Sequence, residues 1–532
     1  MRKSRRVFAL LLTAILAFTC FTPDSSGVNL QNEQGSYPTF YEIFVYSFCD
    51  SDGDGVGDLN GITSKLDYLQ ELGVGGIWLT PIHPATTYHK YDVMDYYDID
   101  PQFGTLGDFD NFMAACQERG ISVILDLVLN HSSSMHPWFQ EAKTYLESLE
   151  PGQEPDTSVC PYVDFYHFTQ NPPDPTYYPL TGEQWYYEGG FWSEMPDLNL
   201  DSPELRAEIR NIMGFWMERG VSGFRLDAAK EYVSGNTQKN VEILKFITDT
   251  AKELNPDAYL VAEVWEGFQT VAEYTVAEYY ESGIPSLFDF PFANTSGKIP
   301  SVLRAADNEK TVRSFATAQE KAYAAYAKYN PAFMDAPFLS NHDTGRIAGF
   351  VNRDEAKMKL AAAMNLMMSG TAFVYYGEEL GMLGSGNDPS KRAPMLWNLE
   401  GTDGVTNPPP ECVLPEEYPQ GSLTEQRDDP QSIWNYYRAA IALRNAIPAI
   451  SRGVPTAETA LNQGTVSATR KTFGTETAII LMNIGTQAAE VHLSEYADYT
   501  LAGTLAADEA PVAAEAGSLT LPPFAVAILT AG

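Results

Sequence analysis

From Phe40 onward, short apolar runs alternate with longer segments whose apolar residues recur at helical spacing. Phe40 to Phe48 (FYEIFVYSF) is rich in β-formers, and Ile62 to Leu72 carries a helical stripe. Gly76 to Leu79 predicts a strand that ends at Thr80-Pro81, and Phe109 to Gln117 predicts a helix. Ile121 to Leu129 (ISVILDLVL) shows almost no polar alternation, as a strand covered on both faces requires. Glu204 to Glu218 and Val241 to Leu254 read as helices, each followed by a strand, Val221 to Leu226 before the second and Ala258 to Val264 after it. Ser286 to Phe290, Phe333 to Leu339 and Ala372 to Tyr376 are further strand candidates. Helical runs such as Glu355 to Met368 lie between them, and Ser432 to Arg444 follows the last. This order predicts an α/β fold of eight β-α units, the count of a (β/α)8 barrel. The rival is a doubly wound open sheet, but no glycine-rich phosphate turn follows the first strand.

Two stretches interrupt the alternation. Residues 131–202, after the third strand, are rich in Pro, Tyr and Trp and too long for an ordinary βα loop, so they predict a small inserted domain. Leu383 to Gln431 forms a second long loop containing Pro408-Pro409-Pro410. Beyond Pro448 short β-type runs such as Ala478–Met482 and Ala525–Leu529 alternate with turns, which predicts a C-terminal antiparallel β-sandwich. The expected division is a barrel over 37–450, carrying the insert, and a sandwich over 451–532.

Composition narrows the function. The chain has 532 residues with 34 basic and 70 acidic side chains, a net charge of -36. Such a chain is repelled by nucleic acid and by anionic membranes. Its basic block is at the start, where Arg2, Lys3, Arg5 and Arg6 precede an apolar run from Val7 to Phe18. That run is short for a membrane span, and it predicts a bacterial-type signal peptide over 1–20 and a secreted or cell-surface protein. Cys20 is placed where a lipid anchor could attach, although Ala17-Phe18-Thr19 fits the usual small-residue box poorly. Residues 21–36 read as a polar tether, and no later stretch is long and apolar enough to span a membrane. The remaining cysteines, Cys49, Cys116, Cys160 and Cys412, form no disulfide framework and no zinc spacing.

Candidate chemistry gathers at strand ends. Gly223 to Glu231 (GFRLDAAKE) places Arg225 two residues before Asp227, on one pleat face. Alone, that pair reads as a structural ion pair. In a barrel, however, the loops at the C-terminal strand ends meet over one mouth. Glu263 follows the fifth predicted barrel strand and Asp343 the seventh, with His131 and His342 at matching levels. Several carboxyls around one mouth suit chemistry that develops positive charge, such as opening a glycosidic bond. Tyr91, Trp185, Tyr186, Trp192 and Trp265 are candidates for stacking on sugar rings.

The motifs DLVLNH (Asp126–His131), GFRLDAAKE, AEVW (Ala262–Trp265) and FLSNHD (Phe338–Asp343) stand in an order that resembles the α-amylase family of glycoside hydrolases, family 13. MPDLN (Met195–Asn199) resembles the group intermediate between oligo-1,6-glucosidases and neopullulanases. The resemblance implies Asp227 as nucleophile, Glu263 as acid/base and Asp343 as a third carboxylate supporting the transition state. It implies sugar contacts by Arg225, His131, His342, His89, Tyr91 and Lys230. The implied reaction retains the α configuration, with the two key carboxyls roughly 5–5.5 Å apart. Asp92 with Arg392 resembles a pair that grips a non-reducing end in exo-acting relatives.

The loop Asp50 to Asp58 (DSDGDGVGD) resembles the first nine residues of a calcium loop. Gly61 stands where an EF-hand has its glutamate, so this is not an EF-hand, but several family members hold calcium in a similar loop. One Ca2+ is expected on Asp50, Asp52, Asp54, the Val56 carbonyl and Asp58. A second calcium site between barrel and insert is not expected, because Glu231 stands where many relatives have a histidine. The expected activity is cleavage of α-1,4 links in starch and maltooligosaccharides. An exo-acting α-glucosidase, an oligo-1,6-glucosidase or neopullulanase-like enzyme, a 4-α-glucanotransferase and, more remotely, a non-catalytic sugar-binding relative remain open.

Overall fold

The computed structural model of the protein describes residues 31, 32, 34–266 and 275–531. The expected signal peptide, Cys20 and most of the expected tether therefore lie outside the described residues. Among the described residues no helix is long and apolar enough to cross a membrane.

Seven parallel strands curl around one axis: β1 (Phe40–Ile43), β2 (Gly76–Leu79), β3 (Ser122–Leu127), β7 (Gly223–Leu226), β8 (Tyr259–Ala262), β9 (Ser286–Leu287) and β10 (Phe373–Tyr375). Their order is β10-β1-β2-β3-β7-β8-β9. The expected seventh barrel strand, Phe333–Leu339, is reduced to a parallel bridge between Phe288 and Ala336. It still closes the gap. Asp289 N–H donates to Ala336 O at 3.1 Å on one side, and Phe373 N–H donates to Pro337 O at 2.8 Å on the other. Pro337 has no N–H to return, which is why the ladder stops there.

Period-two alternation sorts these strands into layers. Phe40, Trp78, Ile124, Tyr259, Val261, Phe288 and Phe373 fill the barrel interior as one apolar cluster. One step further along the same faces come Glu42, Asp126, Arg225 and Glu263, all buried. The intervening residues, such as Tyr41, Ile77, Leu125 and Phe224, face the surrounding helices. The interior is therefore apolar in its lower layers and charged toward the C-terminal strand ends.

The helices follow local signals. Pro203–Glu218 starts at Ser202, whose side chain accepts the Leu205 N–H at 3.4 Å, and buries Leu205, Ile209, Ile212, Met213 and Trp216. The predicted helix Ile62–Leu72 is two helices, Leu59–Ser64 and Leu66–Leu72, divided at Lys65. The β-rich run Phe40–Phe48 is strand only to Ile43, and Val45–Phe48 makes one helical turn.

Between β3 and β7 lies a small antiparallel sheet, β4 (Phe168–Thr169), β5 (Tyr177–Pro179) and β6 (Tyr186–Glu188), in the order β4-β6-β5. The His131–Asp197 bridge ties this segment to the end of β3, and the Tyr166–Leu198 bridge closes the segment on itself. After the barrel come β11 (Val454–Ala457), β12 (Val466–Phe473), β13 (Glu476–Asn483), β14 (Ala489–His492), β15 (Thr500–Leu505), β16 (Ala513–Glu515), β17 (Ser518–Leu521) and β18 (Val526–Ala531). They form a five-stranded sheet, β11-β12-β13-β18-β15, and a three-stranded sheet, β14-β17-β16. Ile479, Leu481, Val491, Leu519, Leu521 and Leu529 make their shared core.

Candidate active site

Arg225 is the centre of the charged layer. It is fully buried, and its Nη1 lies 2.8 Å from Asp126 Oδ1, 2.6 Å from Asp227 Oδ1 and 3.3 Å from Tyr91 OH. Its Nη2 lies 2.8 Å from Glu263 Oε2, as an ion contact that is not aligned as a hydrogen bond. One guanidinium thus bridges Asp227 and Glu263 from below. An arginine suits this place because its planar fork can face several carboxylates at once.

The surroundings split the acids. Burial pushes the Glu263 pKa up to about 7; Arg225 opposes the shift, while Asp227 and Asp343 add repulsion. Burial likewise raises Asp126 to about 6 against the pull of Arg225. Asp343 moves the other way. Burial alone would raise it, but His342, Arg392 and Arg225 hold it well below the ordinary carboxylate range. The Arg392 contact is direct, with Nη2 2.7 Å from Asp343 Oδ1.

Backbone geometry helps to hold Glu263. Ala228, directly after Asp227, has φ +46, in the left-handed region. Its N–H donates to Glu263 Oε2 at 3.1 Å, and Ala229 N–H donates to Glu263 O at 3.0 Å.

Above these groups opens a cavity of about 670 Å³. Asp227, Glu263 and Asp343 all line it, together with His89, Tyr91, His131, Lys230 and Arg392. Arg225 and His342 sit beneath its surface, fully buried. His131 Nε2 is buried without a protein partner, and burial lowers the pKa of this ring. His89 is lowered to about 4, chiefly by burial and then by Arg392. Lys230 Nζ pairs with Glu266 at 3.2 Å and donates to Trp265 O at 3.3 Å.

Asp92 is held by its own loop. It does not line the cavity: its side chain is buried, Oδ2 accepts the Thr86 N–H at 2.9 Å, and Oδ1 accepts the Thr87 N–H at 3.2 Å. Among the described residues no hydrogen bond or ion pair links it to Arg392, yet its charge acts on His89 and His131, which line the cavity. Of the expected stacking residues, Tyr91 and Trp265 line the cavity. Trp265 is 40% exposed and stacks on Phe290 at 4.9 Å. Trp185 is buried in the insert, Tyr186 belongs to β6, and Trp192 is exposed away from the cavity lining. Phe191, which the motifs did not single out, lines the cavity at 54% exposure, 5.4 Å from the His131 ring.

A separate acidic loop follows β1. Carboxylate oxygens of Asp50, Asp52 and Asp58 lie within 4.8 Å of one another. Asp54 is outside that group, and its Oδ1 accepts the Val56 N–H at 2.7 Å. Asp58 also takes the Ser51 N–H at 2.7 Å and caps the helix that starts at Leu59. An all-oxygen donor set of this kind fits a hard cation such as Ca2+.

The family profile described as "Alpha amylase, catalytic domain" matches residues 42–453. The chain belongs to the α-amylase family. It is a glycoside hydrolase acting on α-glucans. This α-amylase-family enzyme is 40% identical over 421 residues to Alpha-amylase 3 of Dictyoglomus thermophilum, covering 78% of each chain. Among solved structures it resembles Eubacterium rectale Amy13B, at 41% identity and TM-score 0.89, over 94% of this chain and 97% of that one. It also resembles an α-amylase from H. orenii, at 32% identity and TM-score 0.77, over 93% of this chain and 99% of that one.

Proposed function

We propose that this enzyme hydrolyses α-1,4-glucosidic bonds in starch and maltooligosaccharides with retention of configuration. The observation that carries the reading is the pairing of unlike carboxyls on one guanidinium: Asp227 in an ion pair with Arg225, and Glu263 with its pKa raised to about 7. In this reading Asp227 attacks the anomeric carbon while Glu263 protonates the departing glycosidic oxygen. The glycosyl-enzyme is then opened by water, which Glu263, now ionised, deprotonates. Asp343, kept anionic by Arg392 and His342, binds sugar hydroxyls and stabilises the oxocarbenium-like charge. His131 Nε2, with no protein partner, is free to meet a sugar hydroxyl in the cavity. Tyr91, His89, Lys230, His342, Arg225 and Arg392 complete the proposed sugar site, with the last three acting largely through Asp227 and Asp343.

Asp227→Asn is expected to lower kcat by at least about a thousandfold while leaving the melting temperature near that of the parent. A near-normal rate would remove the nucleophile assignment. A product time course on amylose, maltotriose, isomaltose and pullulan tests the bond and mode of attack. Rapid loss of amylose viscosity with mixed oligosaccharides supports internal cleavage. Glucose released from the start, with viscosity kept, would replace it with exo-action.

The proposal extends to export and to a metal. The basic and apolar start of the chain supports a signal peptide ending near Cys20, with that cysteine as a possible lipid anchor, and hence a secreted or cell-surface enzyme. The loop at Asp50, Asp52 and Asp58 would hold one Ca2+, with Asp54 and the Val56 carbonyl as the other expected donors. That ion would supply structural charge neutralisation rather than chemistry.

A further inference from the structure

Glu42, the interior residue near the end of β1, is 1% exposed, and its Oε1 lies 2.6 Å from His342 Nδ1. The same oxygen accepts the His342 backbone N–H at 3.3 Å. On the far edge of the ring, Nε2 meets Asp343 Oδ2 at 2.9 Å and Tyr91 OH at 2.7 Å. The Tyr91 hydroxyl spends its own proton on Asp126 Oδ2 at 2.8 Å, so it accepts from Nε2. The ring packs against Tyr91, stacked at 5.3 Å, Phe44, stacked at 6.4 Å, and Trp78, near-perpendicular at 5.7 Å. Both ring nitrogens therefore face acceptors, and a neutral imidazole could serve only one edge.

We propose that Glu42 is a positioning residue of this active site: its buried carboxylate holds His342 doubly protonated and in one orientation, and His342 passes that order to Asp343 and Tyr91. The inference rests on the functional reading of Asp343 given above. Burial alone would lower the His342 pKa, but Asp343 and Glu42 outweigh it and raise it to about 10. Other charged or titratable groups face this assembly. Arg225 acts on Glu42, Arg392 donates from Nε to His342 O at 3.0 Å, and Asp126, His89 and Tyr375 complete the surroundings. The cationic neighbours Arg225 and Arg392 disfavour a third positive charge here, and Glu42 adds to the larger pull of Asp343 in keeping the imidazolium.

The test is the protonation state itself. Nitrogen NMR of the full enzyme with labelled histidine, His342 being assigned by the signal lost in His342→Gln, reads both ring nitrogens without substrate. The expected result is two protonated nitrogens at pH 8 in the parent enzyme. In Glu42→Gln the His342 midpoint should fall by about one unit or more. The kcat should fall by roughly ten- to a hundredfold with a smaller change in KM. One protonated nitrogen in the parent at pH 8 would overturn the proposal, and so would a Glu42→Gln enzyme that folds and keeps the parent's His342 titration. The parent spectrum stands even if the variant fails to fold. If Asp227→Asn were active but His342 doubly protonated, the functional reading would fall and the role of Glu42 on His342 would stand.

Discussion

At the scale of single residues, the chemistry depends on one proton. Glu263 keeps it because an ionised carboxylate in that position loses its hydration, and because Asp227 and Asp343 would repel a further negative charge. In the proposed mechanism that proton releases the leaving group, so kcat/KM should fall as pH rises above about 7, by about tenfold per unit. A pH–rate profile on a maltooligosaccharide checks this. Glu263→Gln should lose about a hundred- to ten-thousandfold and should also lose that alkaline limb. A variant that kept the limb would assign it to another group. That Asp227, Glu263 and Asp343 meet at one cavity was legible in the chain, because strand-end carboxyls stand out against apolar runs. Glu42 and Asp126 were not assigned roles, because their partners come from across the barrel, where spacing along the chain says nothing. The Asp92 carboxylate is held by Thr86 and Thr87 N–H groups and acts on His89 and His131, contacts that its place beside Tyr91 in the chain does not reveal.

At the scale of elements, the barrel places the site by alternation and by one close approach. Arg225 reaches the interior because β7 runs Gly223, Phe224, Arg225, Leu226 with period two. The first position must be glycine. Gly223 has φ +156, and a Cβ there would lie 1.7 Å from Tyr259 O, on the neighbouring strand β8. The carbonyl belongs to backbone and cannot swing aside. Gly223→Ala should therefore force β7 and β8 apart and cost about 3 kcal/mol or more. Denaturant unfolding checks the stability, and activity should fall with it, since Asp227 and Glu263 ride on these two strands. A fully stable, active Gly223→Ala enzyme would show that the strands can shift without disturbing the carboxyl pair. Buried, uninterrupted runs such as Gly76–Leu79 were read with their observed bounds. The seventh barrel strand was read too long, because hydrophobicity cannot register that Pro337 withholds a ladder donor.

At the scale of the whole molecule, the C-terminal sheet shares an apolar core with the barrel through Ile480, Met482, Val526 and Ile528, and buried polar contacts fix its position. Lys471, from the C-terminal sheet, is fully buried and donates to Met367 O at 2.5 Å and Ile450 O at 2.9 Å, pinning that sheet to the barrel. The loop of Asp50 to Asp58 makes a second join. Asp50 N–H donates to Gly404 O at 3.1 Å, and Asn407 N–H donates to Gly55 O at 2.7 Å. Gly404 and Asn407 belong to the long segment after β10, which also carries Lys391 and Arg392 to the cavity. Three carboxylates within 4.8 Å on a chain of net charge -36 repel one another unless a cation neutralises them. A bound Ca2+ would relieve that repulsion and stiffen both loops at once. At a hundredfold excess over Kd, one such site stabilises the fold by about 2.7 kcal/mol. Exhaustive chelation should therefore release about one Ca2+ per chain, lower the melting temperature and raise KM more than it lowers kcat. Asp50→Asn, which keeps one carbonyl oxygen for the loop N–H groups, should start from the lower melting temperature and show no further drop on chelation. Elemental analysis finding no calcium, together with an unchanged melting curve, would leave Asp50 to Asp58 as a turn held only by its own hydrogen bonds.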